Sequence, residues 1–319
     1  MTRKVKVLSP IDSSCEVEAL IDAGADELYG GLLPSGRSSD AVPVNRRSFA
    51  GAQFPDSHDF AAAVAVAKGR GIPFHLALNA PFYAPARLEE ILGLATEAIT
   101  FGVSGFIVAA PGLIKRLKTE HPEAIITLST LGGAMNAEAN LHYAELGADR
   151  AVLPRHLSLD EMASIVEAVP GLSFEAFVLI GKCMNEEAFC TFQHISPEKR
   201  WPCEIPYEYY EGDSPEPSAG GMAAIAGRRA LMQFDRRMGC GLCAVPRLVR
   251  MGVGTLKLVG RGGPTAGKVA NIKLARKILA ESDCGKLDAR ADYIARFGRP
   301  CGEPVCYFPE IYRNYGIGA

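Results

Sequence analysis

Short apolar runs and amphipathic stretches take turns along most of the chain. Val5–Leu8 predicts a first strand, and the helical spacing over Cys15–Ala23 predicts a helix behind it. Further strands are predicted at Asp26–Gly30, Pro73–Leu78, Gly105–Ala109, Ile125–Ser129, Arg150–Leu153, Phe174–Val178 and Thr255–Val259. Helical patterns cover Leu88–Phe101, Gly112–Thr119, Asn136–Leu146, Leu159–Ala168 and Val269–Ser282. Strands alternating with helices of this length make parallel βαβ units. Eight such strands favour an α/β fold of the (β/α)8, TIM-barrel-like kind over a doubly wound open sheet.

Two stretches break the rhythm. Pro34–His58 is a long polar insert after the second strand, and Gly181–Arg250 is a Cys-, Pro-, Gly-, Arg- and Tyr-rich insert between strands seven and eight. Both leave the C-terminal ends of strands, where barrel enzymes carry their active sites. The organisation read from this is a barrel domain over residues 1–285, with the Cys-rich insert 181–250 inside it, and a C-terminal tail, 286–319, packed on the barrel.

Thirty-four basic against thirty-six acidic side chains leave a formal charge of −2. That excludes nucleic-acid binding through bulk charge, while a local basic patch stays open. No apolar run reaches the roughly 18 residues of a membrane span. Met1–Lys4 is not followed by the apolar core of a secretion signal, so the expected location is cytoplasmic. Nine cysteines then stand out, because the cytosol keeps thiols reduced and disulfides are a poor use for them. Cys183, Cys190, Cys203, Cys240 and Cys243 all fall in the long insert. Thiolates suit iron–sulfur clusters and zinc. Only Cys240/Cys243 has the C-x2-C spacing usual in structural zinc sites. The wide gaps put a cluster ahead of zinc, with plain buried thiols as the remaining alternative.

Glu175-Ala176-Phe177-Val178, followed by Cys183, Cys190 and Cys203, resembles the signature of the collagenase-like peptidase family U32. Gly241-Leu242-Cys243, upstream of Leu256-Lys257-Leu258-Val259-Gly260-Arg261, is similar to the segment that carries that family's fourth Cys. Ala23-Gly24-Ala25-Asp26 with Tyr29-Gly30, Asn79, Ser129-Thr130 with Asn136, and Leu153-Pro154-Arg155 agree as well. The resemblance covers about residues 5–280.

The resemblance implies a barrel-like fold and a 4Fe–4S cluster on Cys183, Cys190, Cys203 and Cys243, with zinc as the alternative metal. It implies an oxygen-independent hydroxylase or related transferase. Members of that kind act on the ubiquinone ring or on bases of transfer and ribosomal RNA, with prephenate as oxygen donor. The size of this chain is similar to that of the ubiquinone pair. The expected partners are therefore a small anionic, aromatic or quinone-like substrate, a prephenate-like donor and a related family member in a heterodimer, with RNA behind them. A peptidase, an RNA-base hydroxylation factor and a non-catalytic cluster-bearing subunit are the alternatives. In this reading Glu175, Arg155 and Lys257 are catalytic, and Asn79, Tyr29, Ser129, Asn136 and Arg261 bind substrate. The chain departs from the pattern at Leu179, Leu131, His156 and Val259, where the family has polar residues. The cluster carries over more readily than the substrate does.

Other features have competing readings. Gly262–Lys268 formally fits G-x-x-x-x-G-K, but Val269 replaces the magnesium-binding Ser or Thr. An anion cradle beside Arg261, or a plain strand-to-helix turn, is the better expectation. Arg228, Arg229, Arg236, Arg237, Arg247 and Arg250 read as a phosphate-binding patch or a solvated helix face. Trp201, Tyr207, Tyr209 and Tyr210, around Cys203, read as pocket lining or as packing. Cys301 and Cys306 form a lone C-x4-C, slight grounds for a second metal.

Overall fold

Eight short runs of apolar residues pair in chain order as β1 (Lys6–Pro10), β2 (Glu27–Gly30), β3 (Phe74–Leu78), β4 (Gly105–Val108), β5 (Ile125–Leu128), β6 (Arg150–Leu153), β7 (Ser173–Leu179) and β8 (Thr255–Leu258). All neighbours are parallel, and β8 returns to β1, so the sheet closes into a (β/α)8 barrel. The computed structural model describes residues 4–33, 44–45, 51–183, 187–189, 216, 218–232, 235–285 and 287–314. Among them, no helix is long and apolar enough to cross a membrane.

The helices are α1 (Val17–Asp22), α2 (Ser57–Gly69), α3 (Pro85–Phe101), α4 (Pro111–Glu120), α5 (Ala137–Glu145), α6 (Leu159–Ala168), α7 (Ala219–Met232), α8 (Val245–Arg250), α9 (Thr265–Cys284), α10 (Ala289–Phe297) and α11 (Pro309–Asn314). The patterning predicts α1, α3 to α6 and α9. It misses α2, whose first residues were placed in the polar insert. That helix is mostly Ala and Val and shows little contrast between its faces, so its clearest signal is the cap: Asp56 accepts from the Asp59 N–H at 2.8 Å. The long insert is also not plain loop, because α7 lies within it and α8 supplies the crossover into β8.

Side chains alternate across each strand. Val7, Leu28, Phe74, Leu76, Phe106, Ile126, Phe174 and Leu256 point outward into one apolar cluster shared with the helices. Leu8, Tyr29 and Ile107 form a separate cluster in the lumen. The same parity turns Lys6, Glu27, His75, Arg150, Glu175 and Lys257 inward. The lumen is thus filled by charged side chains where branched aliphatics dominate most such barrels.

Residues 287–314 lie across the β7–β8 connection. Tyr293 donates to the Met238 carbonyl (2.9 Å) and Tyr307 to that of Ile180 (2.7 Å). Lys182 reaches the Cys306 carbonyl, and the backbones at Cys240 and Cys306 pair side by side in parallel sense, with both thiols free.

Candidate functional site

The lumen network runs through six strands. Glu27 meets Lys6, lies 3.2 Å from His75 Nε2, and accepts from Arg150 at 2.6 Å. Arg150 also donates to Glu175 Oε1 (2.9 Å), whose Oε2 accepts from Lys257 (2.9 Å). Burial alone would raise the Glu27 carboxyl, but hydrogen bonds from His75 and Arg150 hold it well below the usual carboxylate range. Glu175 is likewise held down against burial by Lys257 and Arg150. Both Glu175 oxygens are thus met by cations, and Glu175 and Lys257 brace the lumen. Tyr29 belongs to the same layer: its ring lies 4.9 Å from Lys257 Nζ, and its hydroxyl donates to the Leu258 carbonyl at 2.9 Å.

Above this layer, at the C-terminal face, stands Arg261. Its Nη1 is buried with no hydrogen-bond partner among the described residues. Burial lowers the guanidinium pKa, while Tyr29 and Asp12 pull the other way. Gly31, just past β2, leaves the room: a Cβ there would run into Gln53 Oε1 and Arg261 Nη1. Gln53 and Asn45 are buried and exchange amide hydrogen bonds at 3.0 and 2.8 Å. The strand pattern gives no sign of Asn45 or Gln53, because both lie beyond β2 in the polar stretch before α2.

The turn expected to cradle an external anion holds an internal one. Asp12 Oδ2 accepts from the Gly262 N–H at 2.6 Å, and Lys268 is clamped between Asp12 and Glu16. Thr265 donates to Glu16 at 2.7 Å. Two carboxylates from the β1–α1 connection thus take the place a phosphate would need. Burial pushes the Asp12 carboxyl up, and Lys268 opposes it.

Asn79 donates to Ser129 Oγ at 3.5 Å, so β3 and β5 do bring this pair together at the mouth. Ser129 also caps the turn at Leu131, and Asn136 caps α5 by accepting from the Ala139 N–H at 2.8 Å. Asn136 is therefore helix architecture. Arg155 pairs with Glu187 and the Gly181 carbonyl and stacks on Phe177, 4.4 Å from the ring centroid. Its charge is met within the chain. Arg247 pairs with Asp160 and Arg237 with Asp235, while Arg229 and Arg250 are exposed. The side chains of Arg228 and Arg236, and all of Trp201, Tyr207, Tyr209 and Tyr210, lie outside the described residues.

Of the four implied cluster ligands, Cys190 and Cys203 also lie outside the described residues. Cys243 lines a cavity of about 20 Å³ together with Cys240, Cys301 and Cys306, and Cys183 is not among its lining residues. Burial raises all three of the thiols Cys240, Cys243 and Cys306, the last to about 11. Within the described residues, Cys243 neighbours Cys240, Cys301 and Cys306. Among them, no three His, Cys, Asp or Glu side chains already stand as a metal site.

Two phenylalanines on the rim are conspicuous. Phe82, after β3, is 59% exposed, and Phe189, after β7, is 69% exposed. Both lie on βα connections, which in a parallel barrel emerge on the face that holds Arg261.

The model of Peptidase family U32 matches residues 13–291. The tRNA hydroxylation protein P of Helicobacter pylori is 30% identical over 65% of this chain and 48% of its own length. That of Escherichia coli is 23% identical over 99% of this chain and 78% of its own length. The chain thus matches about half the length of the Helicobacter relative. The solved structure of the U32 peptidase Mk0906 superposes with a TM-score of 0.51 at 16% identity, over 83% of this chain and 96% of that one. That likeness concerns the fold.

Proposed function

The chain belongs to peptidase family U32, and on that premise we propose that it acts in the hydroxylation of a nucleobase in RNA, with tRNA as the substrate class. The observation that carries this reading is the pair of exposed rings, Phe82 and Phe189, on the face that holds the unpartnered Nη1 of Arg261. A base must leave its stack before chemistry can reach it, and aromatic faces receive such bases at about 1–3 kcal/mol each. Arg261 then offers a donor to a base carbonyl oxygen, with Asn45 and Gln53 holding the wall beside it. Relatives named for tRNA hydroxylation support the substrate class. They lend nothing to a quinone-like substrate or a prephenate-like donor, and neither belongs to the proposal. A cytoplasmic location follows from the role.

The family resemblance implies a 4Fe–4S cluster on Cys183, Cys190, Cys203 and Cys243. Peptide hydrolysis finds no supporting geometry among the described residues. His75 is sealed in the lumen against Glu27, and among the described residues no three metal-ligating side chains stand together.

The test is mass spectrometry of tRNA nucleosides from cells lacking this chain. One hydroxylated nucleoside should disappear and return with the wild-type chain. Arg261→Met should restore less than a tenth of it. The double variant Phe82→Ala/Phe189→Ala should bind tRNA about tenfold more weakly or worse, from the stacking loss. An unchanged nucleoside profile together with no tRNA binding by the purified chain would end the proposal.

A further inference from the structure

The barrel has a second mouth, on the face opposite Arg261. Lys6, Arg150, Ser173 and Thr255 are the first residues of β1, β6, β7 and β8, so they stand at the N-terminal end of the lumen. Together with Lys4 they line a cavity of about 210 Å³. One water needs only about 15 Å³ of such space, so the cavity admits a molecule many times that size. No Asp or Glu is among the described residues that line it. Its other wall is apolar: Val166 comes from α6, Leu172 from the connection that follows, and Phe174 from β7.

The charges around this cavity do not cancel. Among the described residues, Lys6, Arg150 and Lys257 share two carboxylates, Glu27 and Glu175, and neither carboxylate lines the cavity. His75, in either protonation state, takes nothing from that excess. Lys4 lies 3.8 Å from Asp26, whose carboxylate already meets Arg276 and the Val7 N–H. The mouth therefore carries two unmatched positive charges, which favour an anion. Lys6 and Arg150 both reach Oε1 of Glu27, so these two cations lie within the span of one head group. Lysines bind phosphate as point charges, and arginine adds directed donors. A dianionic phosphate matches the excess where a single carboxylate would leave half of it. Ser173 and Thr255 add hydroxyls to that wall. The apolar wall and the remaining volume suit an organic body on the phosphate.

We propose that the N-terminal mouth of the barrel is a second ligand site, which takes a small phosphomonoester. The phosphate sits against Lys4, Lys6 and Arg150, and the organic body against Leu172 and Phe174. The ligand joins β1 to β6 and β7 across the mouth, so it stabilises the closed barrel from the face away from Arg261. It binds as an effector and not as a reactant. The site does not depend on the RNA reading.

The experiment is thermal unfolding and calorimetric titration of the full purified chain at constant ionic strength, with phenyl phosphate, inorganic phosphate and benzoate as probes. Phenyl phosphate should raise the unfolding midpoint, as a ligand of the folded chain does, and half-saturate below about 1 mM. Inorganic phosphate, with no body to bury, should bind about tenfold more weakly. Benzoate, with a single charge, should also bind about tenfold more weakly. Lys4→Gln and Thr255→Val should each weaken phenyl phosphate about threefold or more, while Arg261→Met should leave its binding unchanged. The Lys4 side chain is exposed, so Lys4→Gln keeps the test open should Thr255→Val fail to fold. Phenyl phosphate that fails to bind at about 10 mM overturns the proposal. Equal binding of inorganic phosphate or benzoate overturns it too, as does binding unchanged in Lys4→Gln. Binding lost in Arg261→Met would put the phosphate at the opposite face and overturn it as well. Loss of the tRNA product has no bearing on any of these readouts.

Discussion

Arg150 is the residue on which the lumen turns. It contacts Glu27 and Glu175 from one guanidinium, and both carboxylates are buried. A buried pair adds little net stability over an apolar substitute, but removing one partner strands the other. Arg150→Met should therefore cost about 3–5 kcal/mol, read from the shift in urea midpoint. Replacing Arg150, Glu27, Glu175 and Lys257 together by apolar residues of similar volume should recover much of that loss, because no buried charge is then left without its partner. A loss below about 1 kcal/mol in the single variant would mean that water reaches the lumen. Little of this was legible in the sequence. Glu27 and Arg150 each begin an apolar run and read as strand boundaries, and they lie 123 residues apart. Only barrel closure makes them neighbours. Glu175 was legible as a notable residue through its motif, but its partners were not, and the partners decide its role.

At the scale of elements, signals within one run of sequence survived and signals between runs did not. Every strand was visible, because each is a short apolar run buried on both sides. Helix α6 shows how a local signal fixes a boundary. Ser158 accepts from the Glu161 N–H at 3.3 Å, and the Glu161 carboxylate accepts from the Ser158 N–H at 2.7 Å, a reciprocal capping box. Ser158→Ala should lower stability by about 1 kcal/mol, measured by equilibrium urea unfolding. A change within error would show that the contact of Glu310 with the Leu159 N–H (3.1 Å) holds the end by itself. Of the two readings of the glycine turn after β8, the plain strand-to-helix turn is what the structure has, and the anion cradle gave way for the opposite reason. Its sequence fits an anion cradle, and only folding brings the Asp12 carboxylate, 250 residues away, into it.

For the molecule as a whole, buried ionisable groups set both edges of the stable pH range. Glu27 and Glu175 have folded carboxyl pKa values held below the ordinary 4.5. Their contribution is therefore complete above about that pH and is lost as pH falls towards the folded values. Asp12, raised by burial, works in the reverse direction and softens that limb. At the other edge, Tyr83, Tyr293 and Tyr307 are raised above the ordinary 10.0 by burial. The unfolded chain ionises these phenols first, so their contribution is full below about pH 10 and lost as pH rises beyond it. Two of the three fasten residues 287–314 to the β7–β8 connection through Met238 and Ile180, so the alkaline limb should begin in that segment. Far-ultraviolet circular dichroism and tyrosinate absorbance recorded through one alkaline titration test this. The late-ionising fraction of the tyrosinate signal should rise together with loss of structure. All tyrosines ionising near pH 10 in a chain that stays folded would show that the C-terminal segment does not bury its phenols.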